Sequence, residues 1–361
     1  MRVLVIKTSS LGDVIHTLPA LTDAARAIPG IRFDWVVEEN FAEIPAWHPA
    51  VDTIIPVALR RWRRAPLQAW RSGEWRAMKR AIAASPTDVV IDAQGLIKSA
   101  LLTRYTAAPV HGLDRSSVRE PLAARFYDTT HAVRKGWHAV ERLRALFGLA
   151  LGYSVPDAPC DYGLDRQRVL GDAATPASPT LLFLHGTTWP TKHWPEPYWR
   201  KLAERCTAAG WQVRLPWGSE AERERAERIA ADLPGVTVLP RLNLAGVAAE
   251  LAGASACVAV DTGLGHLAAA LDVPTISLFG PTNPGLTGAW GPRQRHLASD
   301  FPCAPCLSQR CLHTPTADEA ARFDLAREVP LCFTRLGPER VFSALTELVA
   351  EAGRPAPEGV T

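Results

Sequence analysis

Two Rossmann-like α/β domains facing each other across a cleft are the fold this sequence predicts, on three observations. Short apolar runs of strand length alternate with helical stretches along the chain. The alternation is interrupted once, by a Pro-rich, polar stretch at 156–179, and then restarts. The 361 residues exceed what a single core usually holds, and 47% of them are hydrophobic, enough for two cores. The expected division is an amino-terminal domain at 1–160, a linker at 161–179, a second domain at 180–337, and a closing helix with its tail at 338–361.

Charge separates the halves. Residues 1–155 carry 21 Lys and Arg against 14 Asp and Glu, whereas 156–361 carry 19 against 23, so the net +3 is made of +7 and −4. A basic amino-terminal half fits a polyanionic partner: nucleic acid, an anionic lipid surface or a phosphorylated substrate. The start, MRVLVIKTSSLGD, meets Lys7 after four apolar residues and does not read as an export signal. No uninterrupted apolar run reaches the roughly 18 residues a membrane span needs. Seven cysteines, an odd number, without an export signal point to the reducing cytoplasm.

Taken in order, residues 3–6 form a short apolar strand, and Thr8-Ser9-Ser10-Leu11-Gly12-Asp13 turns into a helix over 14–27. Asp13 suits an N-cap, where the helix dipole would lower its pKa and make it a weak base. A carboxylate at a strand end is also where α/β enzymes keep catalytic groups. Strands follow at 33–37 and 53–57. Then comes LRRWRRAPLQAWRSGEWRAMKRAI, in which four arginines surround Trp62 and a basic amphipathic helix carries Trp70, Arg71, Trp75, Arg76, Lys79 and Arg80. Most charge runs are solvated faces, but tryptophan interleaved with arginine suits anionic lipid headgroups or phosphates. Residues 60–135 hold 15 basic and 6 acidic side chains, so the cationic excess is concentrated there. Residues 89–92 form another strand, leading through Gln94 and Gly95 to Lys98.

After the linker, 180–184 is a buried strand, and His185-Gly186-Thr187-Thr188-Trp189-Pro190-Thr191-Lys192 follows it. Hydroxyls and a lysine just beyond a strand end suit a diphosphate. A helix to 209, a strand at 212–216, the turn Trp217-Gly218-Ser219-Glu220-Ala221-Glu222 and a helix to 233 complete a βαβα unit. Glu222 either hydrogen-bonds ribose hydroxyls or compensates the helix dipole. Strands at 236–239 and 257–260 follow, and the second breaks at Asp261-Thr262-Gly263 before an alanine-rich helix. Such a junction aims unpaired N–H groups and the positive end of a helix dipole at an anion. Gly263 and Gly265 would let a ligand approach the backbone, and His266 could add a ring N–H; an ordinary helix cap explains the junction equally well. Cys303, Cys306 and Cys311, with Cys332 beyond, have a spacing that admits zinc, although an incomplete second pair weighs against it. Neither a G-x-G-x-x-G after the first strand nor a P-loop motif occurs, which disfavours dinucleotide oxidoreduction and P-loop chemistry.

Four stretches, IKTSSLGDVIHTLPAL, HGTTWPTKHWP, LPWGSEAER and VDTGLGHLAAALDVPTISLFGPTNP, occur in an order and spacing that resemble the heptosyltransferase I family of lipopolysaccharide synthesis, within glycosyltransferase family 9. The resemblance runs over nearly the whole chain. It implies a GT-B fold, ADP-L-glycero-β-D-manno-heptose as donor, the inner Kdo of Kdo-lipid A as acceptor, inversion at the transferred carbon and no required cofactor. It also implies a peripheral place on the cytoplasmic face of the inner membrane. By the same likeness Asp13 is the catalytic base, and Lys192 assists departure of ADP. Thr187, Thr188, Lys192, Thr262, Gly263, Leu264 and His266 hold the donor around its diphosphate, Glu222 the ribose, Leu242 the adenine side and Asp261 the heptose. Arg60, Arg61, Arg63, Arg64, Lys98 and Arg119 would meet the acceptor's phosphates and carboxylates. The Cys303 to Cys332 segment departs from the family's shortest members.

Two rivals remain at the level of sequence. A heptosyltransferase II-type enzyme, adding heptose to heptose, would share the donor residues and differ at the acceptor; the dense Arg60 to Arg64 run favours the more anionic Kdo. A noncatalytic nucleotide-sugar or anionic-lipid binding protein would not need Asp13. Nucleic acid is not the expected partner, because the basic region lacks a recognisable reading helix.

Overall fold

The first apolar run becomes the central strand β1 (Arg2–Ile6), buried on both faces, which is why it lacks the alternation of a half-exposed strand. The structure is a computed structural model that describes residues 1–171, 176 and 178–357. Beside β1 lie β2 (Arg32–Glu38) and β3 (Val51–Val57) on one side, and β4 (Val89–Asp92), β5 (Val110–Leu113) and β6 (Thr129–His131) on the other. All pairs are parallel, in the order β3-β2-β1-β4-β5-β6. This is a doubly wound sheet whose strand order reverses between β1 and β4, the point at which such sheets bind ligands.

The helices Leu18–Ala27 and Ala139–Leu151 pack together on this sheet. Arg144 joins them through bonds of 2.6 and 3.4 Å to the two oxygens of Asp23, with both side chains buried. Removing either partner of such a buried pair would strand the other charge in the interior. The single helix expected over 14–27 is two, Leu11–Ile15 and Leu18–Ala27. Pro19, which has no N–H to give, is accommodated in the first turn of the second. The basic helix expected from Trp70 to Arg80 is likewise divided, and the region forms Leu59–Arg64, Pro66–Arg71 and Glu74–Ala84. Pro66 opens the middle segment, and Gly73, with φ of 77°, supplies the left-handed turn that ends it.

The second compact unit starts at Asp165 and repeats the design. Its strands are β7 (Thr180–Leu184), β8 (Gln212–Leu215), β9 (Val236–Val238), β10 (Ala256–Val260), β11 (Thr275–Phe279) and β12 (Gln294–Ala298). They are parallel in the order β12-β11-β10-β7-β8-β9, so the reversal falls between β7 and β10. Part of the segment expected as a linker is helical, at Arg166–Leu170, capped by the Asp165 carboxylate. Arg166 ties it to the carbonyls of Ala252 and Ala254 at 2.6 and 2.9 Å, which attaches it to the second unit. Residues 172–175 and 177 of that segment lie outside the described residues, as does 358–361 of the tail. The closing helix, Pro338–Glu351, buries Val341, Leu345 and Val349 in the same core as Phe183 and Trp199. Among the described residues no helix is long and apolar enough to cross a membrane.

Candidate active site

In the second unit the loops after β7 and β10 meet. Lys192 Nζ lies 2.6 Å from Asp261 Oδ2, which also accepts a 2.7 Å bond from Thr282 Oγ1. The ammonium is 4.5 Å from the centre of the Trp189 ring, a cation–π contact that holds it in place. Thr187 Oγ1 donates to the Asp261 carbonyl at 3.1 Å, so the two loops are joined by backbone as well as charge. Asp261 is buried, Lys192 is largely so, and Thr188 is exposed. The helix Gly263–Ala270 begins here with Thr262 as its N-cap, and the Thr262 hydroxyl makes no capping bond. Gly263 and Leu264 are half-buried in the first turn, and His266 is buried in the second. A cation, hydroxyls and the start of a helix thus converge where an anion is favoured. Gly265 is buried in the first turn, where a Cβ would stand 3.4 Å from the Ala259 side chain of β10, an ordinary packing distance.

The loops after β8 and β9 extend this site along the sheet. Glu222 forms a capping box: its Oε2 accepts from the N–H groups of Gly218 and Ser219 at 2.8 and 3.2 Å, while Ser219 Oγ accepts from Glu222 N at 3.3 Å. Its other oxygen lies where a Cβ on Gly186 would come within 2.6 Å, so the carboxylate rests on the loop after β7. Leu242 is half-buried just before the Leu244–Gly253 helix. Behind these loops, burial and the positive charge of Arg225 hold His185 and His193 at about 4, so both rings are neutral near pH 7.

In the first unit the corresponding loops follow β1 and β4. Asp13 Oδ2 accepts from Ser10 N at 2.9 Å and from Ser10 Oγ at 2.7 Å, and Lys7 Nζ is 3.6 Å from Oδ1. Burial pushes the Asp13 carboxyl up, but Lys7, the two Ser10 bonds and Arg119 together outweigh it and hold the group below the usual aspartate value. Asp13 is therefore ionised at neutral pH. Two cations, Lys7 and Arg119, thus act on the Asp13 carboxylate, while Lys98 Nζ reaches Ser9 Oγ in the same loop at 3.4 Å.

Of the cationic residues singled out in the sequence, Arg60, Arg63 and Lys98 line one groove of about 600 Å³, with Trp62, Trp70 and Trp75 among its walls. Trp62 is a core residue, edge-on to Trp75 at 5.4 Å, and its Nε1 donates to Glu74 at 2.7 Å. Trp70 is 66% exposed, so an apolar ring faces solvent beside the exposed Arg63 and Lys98 of the same lining. Arg61 bonds both Glu39 and Glu74 and is thereby turned into the protein's own ion pairs, a partnership the run of arginines gives no sign of. Arg64 is exposed and outside the groove lining.

Cys303, Cys306, Cys311 and Cys332 are all free thiols and border one cavity of about 400 Å³. Among the described residues no three His, Cys, Asp or Glu side chains are grouped so as to hold a metal ion. The segment does buttress the anion site, since Thr191 Oγ1 donates to the Ser308 carbonyl at 2.7 Å and Leu307 N to the Pro281 carbonyl at 2.8 Å. Thr282, Lys7, Ser10 and Gln94 are the site residues that sequence reasoning did not single out. Thr282, Lys7 and Ser10 stand inside stretches already quoted, whereas Gln94 lies outside them and its bonds depend on folding.

The model of glycosyltransferase family 9 (heptosyltransferase) matches residues 75–317. Lipopolysaccharide heptosyltransferase 1 of Pseudomonas aeruginosa is 67% identical over 350 residues, covering 97% of this chain and 98% of that protein. Among solved structures, E. coli heptosyltransferase WaaC with ADP-2-deoxy-2-fluoro heptose is 46% identical, covering 96% of this chain and 99% of that one, with a TM-score of 0.81. The same enzyme with ADP is 53% identical over 83% of this chain and 93% of that one, with a TM-score of 0.80.

Proposed function

Because the chain belongs to glycosyltransferase family 9, the heptosyltransferases, we propose that it moves L-glycero-D-manno-heptose from ADP-heptose to the inner Kdo of Kdo-lipid A, with inversion. The observation that carries the reading is the anion site between β7 and β10, where Lys192 stands at the start of a helix. The likeness to structures with ADP and with an ADP-heptose analogue supports the donor. Lys192, Thr187, Thr188 and the first N–H groups of the Gly263–Ala270 helix take the diphosphate. Leu264 lies in that turn, and His266 follows it in the next. Glu222 takes the ribose with the oxygen not fully used in its capping box, Leu242 flanks the adenine, and Asp261 orients the heptose.

The chemistry follows from the charges. The acceptor hydroxyl oxygen bonds to the anomeric carbon as the bond from that carbon to the β-phosphate oxygen breaks, through an oxocarbenium-like transition state. Asp13 takes the hydroxyl proton. Its lowered pKa keeps it ionised and makes it a modest base, so proton transfer is well advanced only as the new bond forms. Negative charge gathers on the departing ADP, where Lys192 and the helix start stabilise it without a metal ion.

Arg60, Arg63, Lys98 and Arg119 supply the acceptor's countercharges, and the Trp70 groove meets its lipid part. This extends to peripheral attachment at the cytoplasmic face of the inner membrane. In vesicle flotation the protein should rise with anionic but not with neutral vesicles, and equal partition would remove the membrane reading. Product analysis tests the acceptor: ADP-heptose and Kdo-lipid A should give an acceptor enlarged by one α-linked heptose. A product only from an already heptosylated acceptor would assign the protein to the heptosyltransferase II type instead.

A further inference from the structure

We infer that Gln94 is the positioning residue for Asp13: one amide oxygen on the loop after β4 fixes the peptides from which Ser10 reaches the carboxylate. This rests on the reading of Asp13 as the base. Gln94 Oε1 accepts from Thr8 N and Ser9 N, each at 3.0 Å, and from Thr8 Oγ1 at 3.3 Å. Two of these donors are backbone N–H groups, so the amide must present its oxygen, and its orientation is determined. Thr8, Ser9 and Gln94 are all buried, leaving those N–H groups no ready substitute in water.

The amide is itself anchored. Gln94 N donates to Asp92 Oδ1 at 2.9 Å, and the fully enclosed Asp92 also accepts from Gly95 N, Ser99 Oγ and Tyr127 OH. From β4 the chain of contacts therefore runs Asp92, Gln94, Thr8 and Ser9, and through the next peptide to Ser10 and Asp13. Lys7 follows the same route, with its Nζ bonded to Ala93 O at 2.9 Å as well as facing Asp13. The cations that face Asp13 directly, Lys7 and Arg119, and Lys98 beside Ser9 are unaltered by a change at Gln94; what changes is delivery of the two Ser10 bonds. Those bonds favour the ionised carboxylate. Losing them raises its pKa, so the acid limb of the rate profile moves to higher pH.

The experiment compares Gln94→Leu, Gln94→Glu and Asp13→Asn with the wild type, reading kcat and donor KM against pH alongside the thermal midpoint. Gln94→Leu should lose about 10- to 100-fold in kcat, the scale of a misplaced catalytic group, with donor KM nearly unchanged and the acid limb displaced upward. Gln94→Glu keeps an oxygen facing both N–H groups and should recover most of the kcat plateau, with its limb displaced by the added negative charge. A wild-type profile for Gln94→Leu, or equal losses in Leu and Glu variants, overturns the inference. Should Gln94→Leu fail to fold, Gln94→Asn, whose oxygen is drawn back by one carbon from both N–H groups, takes its place: a lowered kcat with the limb displaced upward supports positioning, and a wild-type profile refutes it. An active Asp13→Asn would instead sink the assignment of the base on which the inference stands.

Discussion

Replacing Asp13 with asparagine lowers kcat by about 10²–10⁴-fold, the usual contribution of a positioned base, and leaves ADP-heptose binding close to wild type. Asparagine keeps the size of the side chain and an oxygen able to accept from Ser10 N and Ser10 Oγ, so the helix start at Leu11 survives. What disappears is the capacity to take a proton and the negative charge facing Lys7. Donor affinity is spared because the residues proposed for the donor are carried by the second unit, on the loops after β7, β8, β9 and β10. Single-turnover rates with donor titrations separate the two effects, and an asparagine variant at the wild-type rate would transfer the base to another group.

The Lys192→Ala variant loses at both stages. ADP is charged before reaction and gains charge as the bond breaks, so a cation beside the diphosphate contributes to the ground state and more to the transition state. A hydrogen bond to a charged group is worth about 1.5–3 kcal/mol, which corresponds to a donor affinity roughly 10- to 150-fold weaker. A further loss in kcat on the order of 10²-fold matches removal of one group that stabilises developing negative charge. Asp261 tempers the first figure, because in the structure it already shares the Lys192 ammonium at 2.6 Å. Its carboxylate, left with Thr282 as partner, then repels the diphosphate, so Lys192→Ala with Asp261→Asn should bind ADP more tightly than Lys192→Ala alone. Calorimetric titration with ADP measures this, and unchanged affinity in Lys192→Ala would place the diphosphate elsewhere.

The two sheets were legible in the sequence because their central strands are buried on both faces and so appear as unbroken apolar runs, as in RVLVI and TLLFL. Strands β5, β6, β11 and β12 were not read; β6 carries no apolar signature, since Thr129, Thr130 and His131 are exposed or half-buried. Helix continuity was not readable where expected helices broke, because Pro19, Pro66 and Gly73 decide where a helix restarts yet each also tolerates an unbroken reading. The helices Ala139–Leu151 and Leu244–Gly253 were not expected. The residues assigned to the donor lie on loops that follow β7, β8, β9 and β10, so their shared side of the sheet is written into strand order. Arg61 illustrates the opposite case. Its neighbours Arg60 and Arg63 line the groove, but Arg61 is drawn to Glu39 and Glu74, and no local pattern reports a partner 22 residues away. Gln94 is more extreme, fixing residues 85 and 86 positions earlier through a side chain that sequence alone would assign to a loop surface.

Release of ADP from ADP-heptose, followed with purified protein in the presence and absence of Kdo-lipid A and repeated with Asp13→Asn, tests the central claim most directly. The account predicts release that requires both the acceptor and the Asp13 carboxylate. Release that proceeds equally without acceptor, or equally with asparagine at that position, would contradict it.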